Sequence, residues 1–301
     1  MIFNRNKSKK NPISKSYIVI YAFLLSIFIF SAYKLFDYYY NNYKSEQLVE
    51  NLTKEKEDTN QITDDMLAPS KTEIIATASP LLPSDPALQP GGTDTKLELD
   101  INNILTPYKE LYKENKDMAG WITIPNTAIN YPVMYRKDDN ETYLHTDFKG
   151  NKGSRSGCIF MDGRSHFFEE NVSSNLILYG HNMRAGTMFH DIMKYEKETY
   201  YLAHPVIQFD FIYQTGTYDI LAAFPYDIET SENSSEFKYY NYFHVTNEQE
   251  FNSYLKGIQS LSLYDTGISA SWGDELITLS TCAEYSLDTS KRFVLVARKR
   301  Q

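Results

Sequence analysis

Cysteine is nearly absent from this sequence: two occur in 301 residues. Two cannot build a disulfide framework, so packing must hold the fold. The metal patterns H-E-x-x-H, paired C-x-x-C and an Asp-rich calcium loop are missing, as are G-x-x-x-x-G-K-[ST] and the Rossmann glycines. The expectation is a site with no metal and no cofactor. No fixed-period repeat is visible. Positive charge is scarce too, with a formal net charge of −9. The first 15 residues hold Arg5, Lys7, Lys9, Lys10 and Lys15 and no acid, so the remainder is more acidic still. Such a body lacks the basic footprint of a nucleic-acid binder.

Long hydrophobic runs are confined to one place. "SYIVIYAFLLSIFIFSAY", Ser16 to Tyr33, carries no charge and lies between Lys15 and Lys34. With Leu35 and Phe36 it approaches the roughly 20 apolar residues that cross a bilayer. Residues 16–36 are therefore expected to be a transmembrane signal anchor, with Lys34 snorkelling to the interface. The basic leader, residues 1–15, puts the N-terminus in the cytoplasm and the rest outside. A cleaved signal peptide is the competing reading, but its apolar region is shorter and no A-x-A site is evident. Residues 37–67 are polar and helix-compatible. "APSKTEIIATASPLLPSDPALQPGGT", from Ala68, holds five prolines and a Gly-Gly pair that break helix and sheet. Residues 37–95 are read as an extracellular tether, and 96–301 as the folded domain.

That domain has a β-rich pattern, in keeping with 25 tyrosines. Strand signals fall in "GWITIPNTAINYPVM" and at Cys158–Met161, Leu176–Tyr179, Val206–Ile212, Tyr218–Ala223, Leu276–Leu279 and Phe293–Ala297. Their spacing suggests a closed or rolled antiparallel sheet. Helices are expected over Ile101–Tyr112, over Met188–Tyr195, and over Thr246–Ile258 behind a capping box of Thr246 and Gln249.

Cys158 sits inside an apolar strand signal and reads as a buried structural thiol. Cys282 ends the run "ELITLSTC" and is presented at a strand end. Leu276, Thr278, Ser280 and Cys282 share one face of that strand. A cysteine nucleophile needs a base. His145, His166, His190, His204 and His244 lack a clear presenting element. His181 follows the strand "NLILYG", and Gly180 before it permits a tight turn. Arg292 opens "KRFVLVARK", so a hairpin of the last two strands brings it level with Cys282. Its guanidinium can hold a developing oxyanion.

"TLSTC" (278–282) is similar to the T-L-x-T-C signature of the sortases, cysteine transpeptidases of Gram-positive surfaces. "YGHNMRAGTMF" (179–189), "RFVLVAR" (292–298), "DNETYLHTDFKG" (139–150) and "GCIFMD" (157–162) resemble class B segments of that family. Class C members carry a lid and a C-terminal membrane helix; this chain closes on "ARKRQ", so class B is the expectation. The resemblance implies an eight-stranded β-barrel with N-terminal helices and an extra helix before the cysteine strand, a mainly β, α+β fold. It implies Cys282 as nucleophile, His181 as acid and base, and Arg292 as oxyanion support, with Asn140, Leu144 and Ser280 along the peptide groove. The implied partners are secreted proteins with a C-terminal sorting signal cleaved after Thr, and a peptidoglycan-precursor amine that resolves a thioester. Two rivals stand beside it: a cell-wall cysteine peptidase or amidase, and a non-enzymatic tethered adhesin. The His-before-Cys order and the strand-end cysteine disfavour a papain-like enzyme.

Overall fold

A computed structural model describes residues 15–66, 103–166, 173–232, 237–282 and 290–300. Eight strands close into a barrel: β1 (Met118–Thr123), β2 (Asn130–Tyr135), β3 (Ile159–Met161), β4 (Asn175–Gly180), β5 (Val206–Phe211), β6 (Thr217–Asp227), β7 (Leu276–Cys282) and β8 (Lys291–Lys299). Their order around the barrel is β1-β2-β3-β4-β7-β8-β6-β5. The sheet is mixed, which corrects the all-antiparallel expectation: β2 with β3 and β4 with β7 pair in parallel. Alternation in sequence reports burial, not strand direction, so it could not reveal this.

The barrel interior is filled by Ile122, Val133, Met161, Leu178, Phe209, Ile277, Leu279 and Leu295, all buried. The outer face is also covered. On one side Trp121, Met134 and Phe160 pack with Leu111 and Tyr112 of helix α2 (Lys109–Glu114). On the other side, Phe251, Tyr254, Leu255 and Ile258 of α5 (Glu248–Leu261) pack on Leu276, Val294 and Val296. Two short helices, α3 (Glu198–Ala203) and α4 (Ile228–Glu232), also occur among the described residues.

The expected helices are present with altered bounds. The first is a single turn over Thr106–Tyr108 running into α2, since Pro107 lacks the N–H a longer ladder needs; residues 101–102 lie outside the described residues. The second is a 3₁₀ segment, His190–Glu196. The cap of α5 is one residue later than expected. Asn247 accepts from the Glu250 N–H at 2.9 Å, and Glu250 reaches back to the Thr246 N–H at 3.2 Å. Asn247, with a side-chain carbonyl, outcompetes Thr246 for the cap.

Helix α1 (Lys15–Met66) runs far beyond the apolar segment. Every side chain from Tyr17 to Phe36 is exposed, and this stretch is long and apolar enough to cross a membrane. Residues 37–66, expected as tether, continue the same helix, and the part up to residue 59 packs on the barrel. Leu52 is buried with Trp121 and Phe148, while Leu48 and Val49 flank it. The Lys56 ammonium lies 4.7 Å from the Trp121 ring centre, and burial lowers its pKa. Leu48, Val49, Leu52 and Lys56 form one helical stripe. The proline-rich segment lies outside the described residues.

Candidate active site

Three strand ends converge. β4 and β7 run parallel in register, with Gly180 beside Thr281. The next residues on the two chains are His181 and Cys282. The Thr281 hydroxyl donates to the Gly180 carbonyl at 2.7 Å and pins the two ends together. β8 runs antiparallel to β7, with Arg292 directly opposite Cys282. The backbones of His181, Cys282 and Arg292 thus meet at one edge of the barrel.

Gly180 has a different role from the turn expected for it. It is a β residue, and a Cβ there would run into Ile159 and Phe189. Its absence lets Phe189 close the loop that follows. That loop is tied by the Phe189 N–H donating to the His181 carbonyl at 2.9 Å and by the Met188 N–H donating to the Tyr131 hydroxyl at 2.9 Å.

The His181 ring is clamped from across the site. Its Nε2 lies 2.9 Å from the Leu144 carbonyl oxygen. A carbonyl only accepts, so Nε2 carries the hydrogen and Nδ1 is left to exchange a proton. Burial lowers the His181 pKa; the Leu144 bond opposes this, and the neighbouring His145 adds to it. His145 stacks at 6.0 Å between ring centres. The neutral imidazole is therefore favoured near pH 7.

The Leu144 carbonyl is itself positioned. The turn Thr142–Leu144 is held by the Cys158 N–H donating to the Tyr143 carbonyl at 2.9 Å. Gly157 beside it has φ +54°, and a Cβ there would press into the Tyr143 and Leu144 carbonyls. Both obstacles are backbone. Gly157→Ala is expected to destabilise the fold by about 1–3 kcal/mol and to weaken the clamp, lowering the His181 pKa further. Thermal unfolding and imidazole titration by NMR check the two effects; an unchanged titration removes Gly157 from the clamp.

Asn140 accepts from the Gly163 N–H at 2.7 Å, bracing the Leu144 turn against the end of β3. Leu144 contributes both its carbonyl and a half-buried side chain. Ser280 is 1% exposed, its hydroxyl 2.8 Å from that of Tyr239. Arg292 is half-buried, and its Nη1 donates to the Lys291 carbonyl at 3.1 Å. Cys158 is buried, which pushes its thiol pKa up and leaves it a poor nucleophile.

Sequence reasoning set His145 aside, because its neighbour His181 is 36 residues away in the chain. It missed the buried Asp162. That carboxylate accepts from Arg164 Nη2 at 2.6 Å and from the Tyr179 hydroxyl at 3.0 Å, stiffening β3 against β4. Burial alone would raise its pKa, but the Arg164 bonds outweigh this and hold it below the usual value. The D-G-R spacing was the available signal. Among the described residues no cluster suited to a metal ion occurs.

Residues 122–300 match the sortase domain model. This chain belongs to the sortase family. It is 37% identical to sortase B of Listeria monocytogenes over 188 residues, 62% of this chain and 68% of that one. It is 35% identical to sortase B of Staphylococcus aureus over 191 residues, 64% of this chain and 73% of that one. The crystal structure of S. aureus sortase B superposes with a TM-score of 0.58 at 31% identity, covering 66% of this chain and 88% of the other. The sortase fold, the class B likeness and cysteine transpeptidase chemistry follow. The backbones of His181, Cys282 and Arg292 lie at one edge of this sortase barrel.

Proposed function

We propose that this sortase is a membrane-anchored transpeptidase that joins secreted proteins to the cell wall on the outer face of a Gram-positive cell. Residues 16–36 cross the membrane with the N-terminus inside. The observation that carries the catalytic reading is the register that sets His181 and Arg292 on either side of Cys282.

In the first step His181 Nδ1 takes the Cys282 proton. The thiolate attacks the carbonyl carbon of a Thr in the sorting signal. The C–N bond breaks, and His181 gives its proton to the departing amine. The acyl group remains on Cys282 as a thioester. A cell-wall precursor amine then attacks that carbonyl, losing a proton to His181, and an amide forms as the thiolate leaves. Arg292 carries the oxyanion in both tetrahedral states. Leu144 and Asn140 border the peptide path, and Ser280 supports it through Tyr239. S. aureus sortase B has been captured with a substrate, which supports a peptide lying across this edge.

The test is full-length protein in lipid vesicles mixed with peptides bearing candidate sorting signals and an added amine. Transfer product supports the reading. Hydrolysis alone, with amine in excess, favours the peptidase rival; neither product from folded protein across a broad library favours the adhesin. Arg292→Lys keeps the charge but loses the planar fork. It is expected to lower kcat by about 10²–10³-fold with KM little changed, as steady-state peptide cleavage would show. A wild-type kcat would remove Arg292 from the oxyanion role.

A further inference from the structure

We propose that α1 mounts the catalytic domain face-down on the bilayer, holding the loop 145–156 against the lipid headgroups and the His181 site at a fixed height above them. This rests on the membrane-anchored reading above and goes beyond it, because a tether would leave orientation and height free.

Contacts along one helix carry the inference. Asp37 follows Phe36, the last exposed apolar residue of the span, and its carboxylate takes the Arg155 guanidinium at 2.6 Å. That pair brings the Arg155 guanidinium within the first turn outside the hydrocarbon core, where headgroups lie. Further along, the Ser45 and Ser156 hydroxyls meet at 2.7 Å. Ser45, Glu46 and Val49 of α1 then share a cavity of about 280 Å³ with Thr187 and Met188 of the His181 loop. Leu52 and Lys56 lock the upper part of the helix to the barrel.

The helix rise converts these contacts into heights. Ser45 and Val49 lie nine and thirteen residues past Phe36, about 14 and 20 Å up the axis at 1.5 Å per residue. The site belongs to the same level: Gly157 follows Ser156 and abuts the Leu144 carbonyl that clamps His181. The loop below it carries exposed Lys149, Lys152 and Arg155, with open space around Gly150 and Gly153. Lys149 pairs with Glu114 and Arg155 with Asp37. The strut therefore sets the pose, and charge attraction to anionic lipid adds little. A substrate held at the bilayer surface would meet a site kept at this height.

The test uses full-length protein in vesicles of zwitterionic lipid. A fluorophore on a bio-orthogonal residue at position 152 reports energy transfer to an acceptor dye on the lipid headgroup. Seven helix-forming residues inserted between Phe36 and Asp37 add two turns and keep the helix face. The expected result is a short distance in the parent that grows by about 10 Å with the insertion. A seven-residue Gly/Ser insertion should instead broaden the distribution. Cleavage of soluble peptide should be unchanged in all three, while transfer from a membrane-retained substrate falls in the helical insertion. Equal transfer efficiency in parent and helical insertion would overturn the mounting. Protein that does not float with vesicles overturns the anchor and the mounting together. Absent peptide cleavage in every version overturns the enzymatic reading alone, since the distance still reports the mounting.

Discussion

Cys282→Ala is expected to abolish both peptide cleavage and amine transfer, a loss of at least about 10⁴-fold in kcat/KM. The size follows from covalent chemistry. Of the other two residues brought to this edge among the described residues, His181 is the proposed proton carrier and Arg292 is a permanent cation, so neither is suited to hold the acyl chain. The other cysteine cannot substitute, because Cys158 is buried with its thiol pKa raised. The fold should survive. β7 keeps its ladders to β4 and β8, and Ile277 and Leu279 remain in the barrel interior. Thermal unfolding close to the parent, together with lost turnover, is the expected pair of results. Residual transfer within tenfold of the parent would refute the nucleophile assignment.

His181→Ala is expected to cost about 10²–10⁴-fold in kcat/KM, because in the proposed mechanism one group generates the thiolate, protonates the leaving amine and deprotonates the incoming one. The pH dependence carries a sign. Burial lowers the His181 pKa in the folded protein relative to the unfolded chain. The folded state thus favours the neutral ring. That contribution to stability is fully present above the ordinary imidazole value and is lost as pH falls through the lowered one. His181→Ala should flatten stability against pH in that window. His145→Asn should raise the His181 pKa, by removing the neighbouring ring that opposes its protonation, and should move the His-dependent limb of the rate profile upward. NMR titration of the imidazoles reads the shift directly; a downward or absent shift would show that His145 has no electrostatic hold on His181.

The strand ends were legible in the sequence because each is marked locally. "NLILYGH", "LITLSTC" and "KRFVLVAR" are apolar runs that stop at a chemical residue, and a hairpin suffices to bring Arg292 level with Cys282. The parallel pairing of β4 with β7, which brings in His181, was not legible, because alternation is blind to direction. The clamp was hidden for a different reason. Leu144 acts on His181 through a backbone carbonyl, and backbone atoms leave no signature in residue identity. Gly180 was noticed for the wrong physical cause: what it needs is space for Phe189, not a special backbone angle. The docking of α1 was obscured by composition. Leu48, Val49 and Leu52 stand among charged residues, and a stripe this narrow resembles a solvated helix until its partner, the Trp121 face of the barrel, is known.

The most direct measurement is the mass of Cys282 itself. Full-length protein incubated with a peptide bearing an intact sorting signal, then quenched and digested, should yield the Cys282 peptide carrying the N-terminal fragment as a thioester, the C-terminal fragment having left as the amine. Adding an amine before the quench should discharge that adduct and produce the fragment–amine amide in equal amount. Amide product formed with no adduct on Cys282 in rapid-quench samples, or formed equally by Cys282→Ala, would contradict transfer through this cysteine.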